Sequence, residues 1–92
     1  MIVRIATEDQ YRVPDEDAQR LNELDNQAVA AVEAGDTARF QELFDEMLQL
    51  VRSDGSKLAD DELEESDVIL PPPDTSFEEA AQEFTGDGLI PD

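Results

Sequence analysis

Residues 15–53, DEDAQRLNELDNQAVAAVEAGDTARFQELFDEMLQLVRS, decide the fold. Two apolar stripes run through them at helical spacing. Ala18, Leu21, Leu24, Ala28, Ala31 and Val32 form the first. Phe40, Leu43, Phe44, Met47, Leu48 and Val51 form the second, the stronger of the two. Pro14 suits a helix entry, and Asp15, Glu16 and Asp17 put negative charge where the helix dipole favours it. Glu16 and Arg20 are spaced to pair at i,i+4. Gly35 reads as a left-handed cap, and Asp36 is placed to cap the next helix at once. Arg52 stands in that helix's last turn, and Gly55 closes it. So short a connection turns the chain back on itself, which predicts an antiparallel αα-hairpin.

On the N-terminal side, Met1, Val3 and Ile5 alternate with Ile2, Arg4 and Ala6, giving a strand with two largely apolar faces. Thr7-Glu8-Asp9-Gln10 reads as a turn, and Tyr11 and Val13 as one face of a return strand. On the C-terminal side, residues 54–67 are acidic and irregular. Val68-Ile69-Leu70 then reads as a short buried strand that pairs with the hairpin, and Pro71-Pro72-Pro73 ends it. Thr75 or Ser76 caps a third helix, with Glu78 or Glu79 completing a capping box. Phe77, Ala80, Ala81 and Phe84 make its inner face, and Gly86 and Gly88 stop it. The expected fold is α+β: an N-terminal β-hairpin plus a short third strand in a small sheet, packed by the αα-hairpin and a short C-terminal helix. A length of 92 residues fits a single domain over 1–92 with a stability margin on the order of 5–14 kcal/mol.

The charge is extreme: 25 acidic residues against 6 basic ones, net -19, with Lys57 the one lysine. A disordered acidic tail would explain such a balance, and so would a folded protein adapted to molar salt. The acids are spread along the chain between periodic apolar residues, which favours the folded, halophilic reading. A domain of this mass exposes about 5,300 Å², so its carboxylates lie roughly 15 Å apart. The Debye length is about 3 Å at 1 M salt and about 30 Å at 0.01 M, so self-repulsion acts in dilute buffer and vanishes in brine.

Several function classes lack their chemistry. There is no cysteine and no histidine, which removes disulfides, Cys/His zinc sites and the usual base of a nucleophilic serine. Ser53, Ser56, Ser66 and Ser76 all stand at predicted element ends, where serine is ordinary. Gly86-Asp87-Gly88 has no helix after it and reads as a helix stop, not a phosphate cradle. Asp60, Glu62 and Glu64 alternate, but Glu65 stands where a calcium loop needs its own spacing and glycine, so a solvated acidic loop is expected. The scattered cations Arg4, Arg12, Arg20, Arg39, Arg52 and Lys57 cannot neutralise a run of phosphates, so direct nucleic-acid binding is not expected. An acidic nucleic-acid mimic remains compatible with the charge. No catalytic, cofactor-binding or metal-ligating residue is expected, and the four phenylalanines read as core. Met1-Ile2-Val3-Arg4-Ile5 is too short for a signal peptide, no apolar run approaches the ~20 residues of a membrane span, and a cytoplasmic location without direct membrane insertion is expected. Pro71, Pro72, Leu89, Ile90 and Pro91 are apolar material outside regular elements; they are the expected docking surface, or else a cover for the core.

Met1-Ile2-Val3-Arg4-Ile5, Arg20-Leu21-Asn22-Glu23-Leu24-Asp25, Ala31-Val32-Glu33-Ala34-Gly35-Asp36, Asp60-Asp61-Glu62-Leu63, Ser66-Asp67-Val68-Ile69-Leu70-Pro71-Pro72 and Asp87-Gly88-Leu89-Ile90-Pro91 occur in an order and spacing that resembles the PspA-associated (PspAA) domain family over almost the whole chain. Two departures concern the turns: the family pattern has glycine in the first turn, where this chain has Thr7 and Asp9, and proline where Ala59 stands. The resemblance implies an accessory, non-enzymatic domain of a phage-shock, envelope-stress system. Its implied partner is PspA, a long helical coiled-coil protein that assembles on stressed membranes, so a membrane-peripheral position through that partner is also implied. Other readings are a generic acidic adaptor of an unrelated partner, a nucleic-acid mimic acting as inhibitor, or a carboxylate enzyme.

Overall fold

The computed structural model describes residues 1–62 and 64–84. Its elements are strands β1 (Ile2–Ile5) and β2 (Gln10–Arg12), helices α1 (Asp15–Ala34) and α2 (Thr37–Asp54), strand β3 (Ser56–Lys57), a single 3-10 turn (Asp60–Glu62), strand β4 (Val68–Leu70) and helix α3 (Phe77–Glu83). This is the expected α+β arrangement of small sheet, helical hairpin and short last helix. The sheet has one strand more than expected. Its order is β3-β2-β1-β4, with β1 antiparallel to β2 and parallel to β4. β3 lies within the stretch expected to be irregular; Tyr11 pairs with Lys57 and Arg12 with Ser56. Two exposed polar residues carry no alternation to read, so only the backbone ladder defines this strand.

The helical hairpin forms as its stripes predict. Gly35 adopts φ 70°, and its N–H reaches the carbonyl of Val32 at 3.0 Å. Asp36 Oδ1 accepts from the Arg39 N–H at 3.1 Å, satisfying a donor that the first turn of α2 would leave unpaired. All six residues of the α2 stripe are buried. In α1 the buried set also takes in Val29 and Asp25, while Val32 is half-buried. The expected Glu16–Arg20 pair does not form. Arg20 turns instead to Glu23 at 3.3 Å and across to Glu46 of α2 at 3.7 Å, where it bridges the two helices.

The core lies between this hairpin and one face of the sheet, supplied by Val3, Ile5, Val13, Val68 and Leu70. Helix α3 closes one end. Ser76 caps it, accepting from the Glu79 N–H at 3.2 Å, and its Phe77 and Phe84 meet Phe40 edge-on at centroid distances of 5.5 and 5.2 Å. Phe40 also stacks on Phe44 at 5.8 Å. The other sheet face is partly covered by the segment after β3. The Gln10 side-chain N–H groups donate to the Glu64 carbonyl at 2.6 Å and to Ser66 Oγ at 2.7 Å. Asp67 extends the ladder of β4: its N–H donates to the Ile2 carbonyl, and its carboxylate accepts from the Ile2 N–H, both at 2.8 Å.

Two turn positions yield tests. Thr7 takes φ 67°, a left-handed conformation costly for a β-branched residue. It sits in a turn closed by the Glu8 N–H on the Ile5 carbonyl at 2.8 Å. Thr7→Gly should raise the urea midpoint, worth roughly 0.5–1 kcal/mol. Gly55 is different: its backbone is extended, but an added Cβ would collide with the Val51 carbonyl oxygen and sit 3.1 Å from the Tyr11 Cβ. Gly55→Ala should therefore cost about 1–3 kcal/mol in the same measurement, by pushing the end of α2 away from β2.

Candidate functional site

The proline turn after β4 and the short helix α3 beyond it leave a trough along one side of the fold. The parallel pairing sets β4 beside β1, so both strands end together: the Ala6 N–H donates to the Leu70 carbonyl at 2.9 Å. Pro71 and Pro72 then turn the chain away, and the Thr75 N–H reaches back to the Pro72 carbonyl at 3.0 Å. α3 leaves from there, anchored by its phenylalanines. Between these parts lies a trough of about 650 Å³. Its floor is Ala6, Ile69, Leu70, Pro71 and Pro72; its wall is Asp74, Thr75, Glu79 and Glu83. Pro71 is buried and Pro72 half-buried, so the structure brings these two expected docking residues together in one concavity. Leu89, Ile90 and Pro91 lie outside the described residues.

Ile69 is the residue that sequence reasoning missed. Val68 and Leu70 are buried as expected, but Ile69 is 58% exposed, the one large hydrophobic side chain so exposed among the described residues. A three-residue apolar run gives no alternation from which to infer which member faces out. Glu79 enters the sequence reading only as a capping-box residue and Glu83 has no role in it; they are separated by one helical turn and are both exposed.

A second, smaller hollow of about 320 Å³ opens between α1 and α2, lined by Arg20, Leu24, Glu46, Gln49, Leu50 and Ser53. The Arg20–Glu46 ion pair spans it. Elsewhere the cations serve the fold's edges. Arg12 pairs with Glu64 beside the Gln10 hydrogen bonds, and Lys57 with Asp9 at 3.3 Å. Arg52 grips both oxygens of Glu8 at 2.8 and 2.6 Å, tying the end of α2 to the β1–β2 turn. Among the described residues no group of three or more carboxylates converges in a way that could hold a metal ion. No helix among them is long and apolar enough to cross a membrane.

One carboxylate pair is electrostatically marked. Asp17, in the first turn of α1, is raised above its ordinary 3.8 by desolvation, by a side-chain hydrogen bond to Asp54 and by the charges of Asp54 and Glu16. Its proton is held more tightly in the folded chain than in the unfolded one. The resulting stabilisation is complete below the unfolded value and is lost as pH rises through the folded one. At neutral pH the two carboxylates therefore oppose each other, and Asp54 also sits at the unfavourable, C-terminal end of the α2 dipole. Asp54→Asn should raise the melting temperature at pH 7, with the gain shrinking as the pH falls through the raised Asp17 value towards 3.8, and should lower the Asp17 titration midpoint followed by carboxyl NMR.

Comparison with curated proteins and with solved structures returned no match. The family model described as PspA-Associated protein matches residues 1–92, and the chain belongs to that PspAA family.

Proposed function

We propose that this chain is a non-enzymatic accessory domain of a PspA-type envelope-stress system, a single PspAA-like unit that binds a helical PspA-like coiled-coil protein. The observation that carries this reading is the family match over residues 1–92. The domain works in the cytoplasm and reaches the membrane through its partner. Its docking surface includes Pro71 and Pro72, which line the trough, together with Leu89, Ile90 and Pro91. The chemistry of the chain is consistent with this role: histidine and cysteine are missing from the sequence, and the trough beside β4 sets an apolar floor beside carboxylates, a surface suited to holding another polypeptide.

Affinity capture at molar salt tests the reading, with the chain as bait in the cells that produce it. A PspA-family coiled-coil protein is expected among the captured partners, with capture lost in Leu89→Asp/Ile90→Asp while circular dichroism stays unchanged. Capture of a basic DNA-binding protein in its place would favour a nucleic-acid mimic, and turnover of a small molecule by the purified chain would overturn the non-enzymatic reading.

A further inference from the structure

The trough beside β4 combines features that point to one kind of occupant. Its floor carries Ile69, the exposed large hydrophobic side chain, next to two prolines. Its wall carries Asp74, Glu79 and Glu83 and no cation among the described residues. An apolar floor calls for apolar side chains, and a carboxylate wall calls for Lys or Arg at its rim. The geometry separates a helix from a strand. β4 offers only three residues, and the prolines that follow have no N–H, so an added strand would gain few ladder bonds. Glu79 and Glu83 stand one turn apart on α3, the spacing at which Lys or Arg at i and i+4 stands on a second helix lying alongside.

We propose that this trough receives one amphipathic helix of a partner protein, whose apolar stripe seats on Ile69, Pro71 and Pro72 and whose flanking Lys or Arg residues meet Glu79 and Glu83. The proposal rests on the reading above, that the chain acts through a helical protein partner. It adds the location of the contact and the charge of the helix. The wall gives register and selectivity against acidic helices, and the floor gives contact that survives high salt, where exposed ion pairs are screened.

The experiment uses the full chain, isotopically labelled, at a salt concentration where circular dichroism reports it folded. The probe is a synthetic helical peptide with leucine at i, i+3, i+4 and i+7 and lysine on both flanks; the control is the same peptide with glutamate for lysine. The lysine peptide should shift the backbone amides of Ala6, Ile69, Leu70, Thr75 and Glu79, and the glutamate peptide should not. Ile69→Asp and Glu79→Lys/Glu83→Lys should each weaken binding by about tenfold or more, and because all three side chains are exposed the fold should tolerate them. Three results would overturn the proposal. One is a response spread over the whole acidic surface and indifferent to Ile69→Asp. Another is movement of the same amides with chain concentration alone, which would assign the trough to a second copy. The last is movement of those amides by Leu89→Asp/Ile90→Asp without peptide, which would assign it to the chain's own C-terminal residues. Capture of a PspA-family protein that survives Ile69→Asp would sink the trough and leave the functional reading standing; peptide binding at the trough without any such capture would do the reverse.

Discussion

Phe40→Ala should be the most damaging single substitution in the chain, costing about 3–5 kcal/mol of a total margin on the order of 5–14 kcal/mol. Phe40 is 1% exposed and is the one ring in contact with all three other phenylalanines. Its loss leaves a void at the point where α2, α3 and the end of the core meet, and Phe44 and Phe84, 6.1 Å apart, cannot both move in to fill it. The consequence is also local. α3 has seven residues and one buried alanine, Ala80, so its attachment depends on Phe77 and Phe84 finding Phe40. Urea denaturation of the variant should show a much lower midpoint. Hydrogen exchange should show the amides of Ala80 and Phe84 opening well before those of α1. Phe77→Ala, which truncates a half-buried ring, should cost distinctly less. A loss below about 1 kcal/mol in Phe40→Ala would mean that α3 is held by something other than the ring cluster.

The second large effect should come from salt. Between roughly 0.01 M and 2 M KCl the melting temperature should rise by about 10 °C or more, equivalent to ~2 kcal/mol for a domain of this size. Arg12, Arg20, Arg39, Arg52 and Lys57 already have carboxylate partners. Arg4 forms no ion pair among the described residues, so little positive charge is left to oppose the remaining acids. The existing pairs are exposed and each contributes about 0–1 kcal/mol, and salt weakens them. Salt also screens the far more numerous repulsions of a net charge of -19, and this second effect dominates. Asp54→Asn should flatten the dependence slightly, because one opposed pair is then gone from the start. A melting temperature that does not change with salt would remove the case for adaptation to brine.

What the sequence disclosed follows from where periodicity exists. The six apolar positions of α2 are spaced so that only a helix buries them all, and all six are buried. The caps at Asp36 and Ser76 follow from short oxygen-bearing side chains ahead of those stripes. What stayed hidden is decided by neighbours distant in sequence. β3 exists because Gly55 lets the chain pass close to Tyr11, and neither Ser56 nor Lys57 signals it. Ile69 faces outward because the helical hairpin covers the opposite side of its strand, and no feature of Val68-Ile69-Leu70 records that choice. The trough combines both problems: Pro71 and Pro72 stand out as apolar residues outside regular elements, while Glu79 reads only as a capping-box residue and nothing in the sequence draws attention to Glu83. Thr7 is an intermediate case. The resemblance puts glycine somewhere in the turn that holds Thr7 and Asp9, and the φ of 67° at Thr7 is the conformation there that favours it.

The parallel pairing of Val3 with Val68 sets the first strand of the sheet beside the last one in the sequence, with β1 inside the sheet and β4 at its edge. During synthesis the first strand must therefore wait. The helical hairpin can form as soon as it leaves the ribosome, but β1 keeps one flank open until residue 70 has emerged. Over that interval its Ile2-Val3-Arg4-Ile5 edge is exposed to other nascent chains, and the sequence places Glu8 and Asp9 directly behind it. Closure of the sheet, not helix formation, should set the folding rate of this small domain.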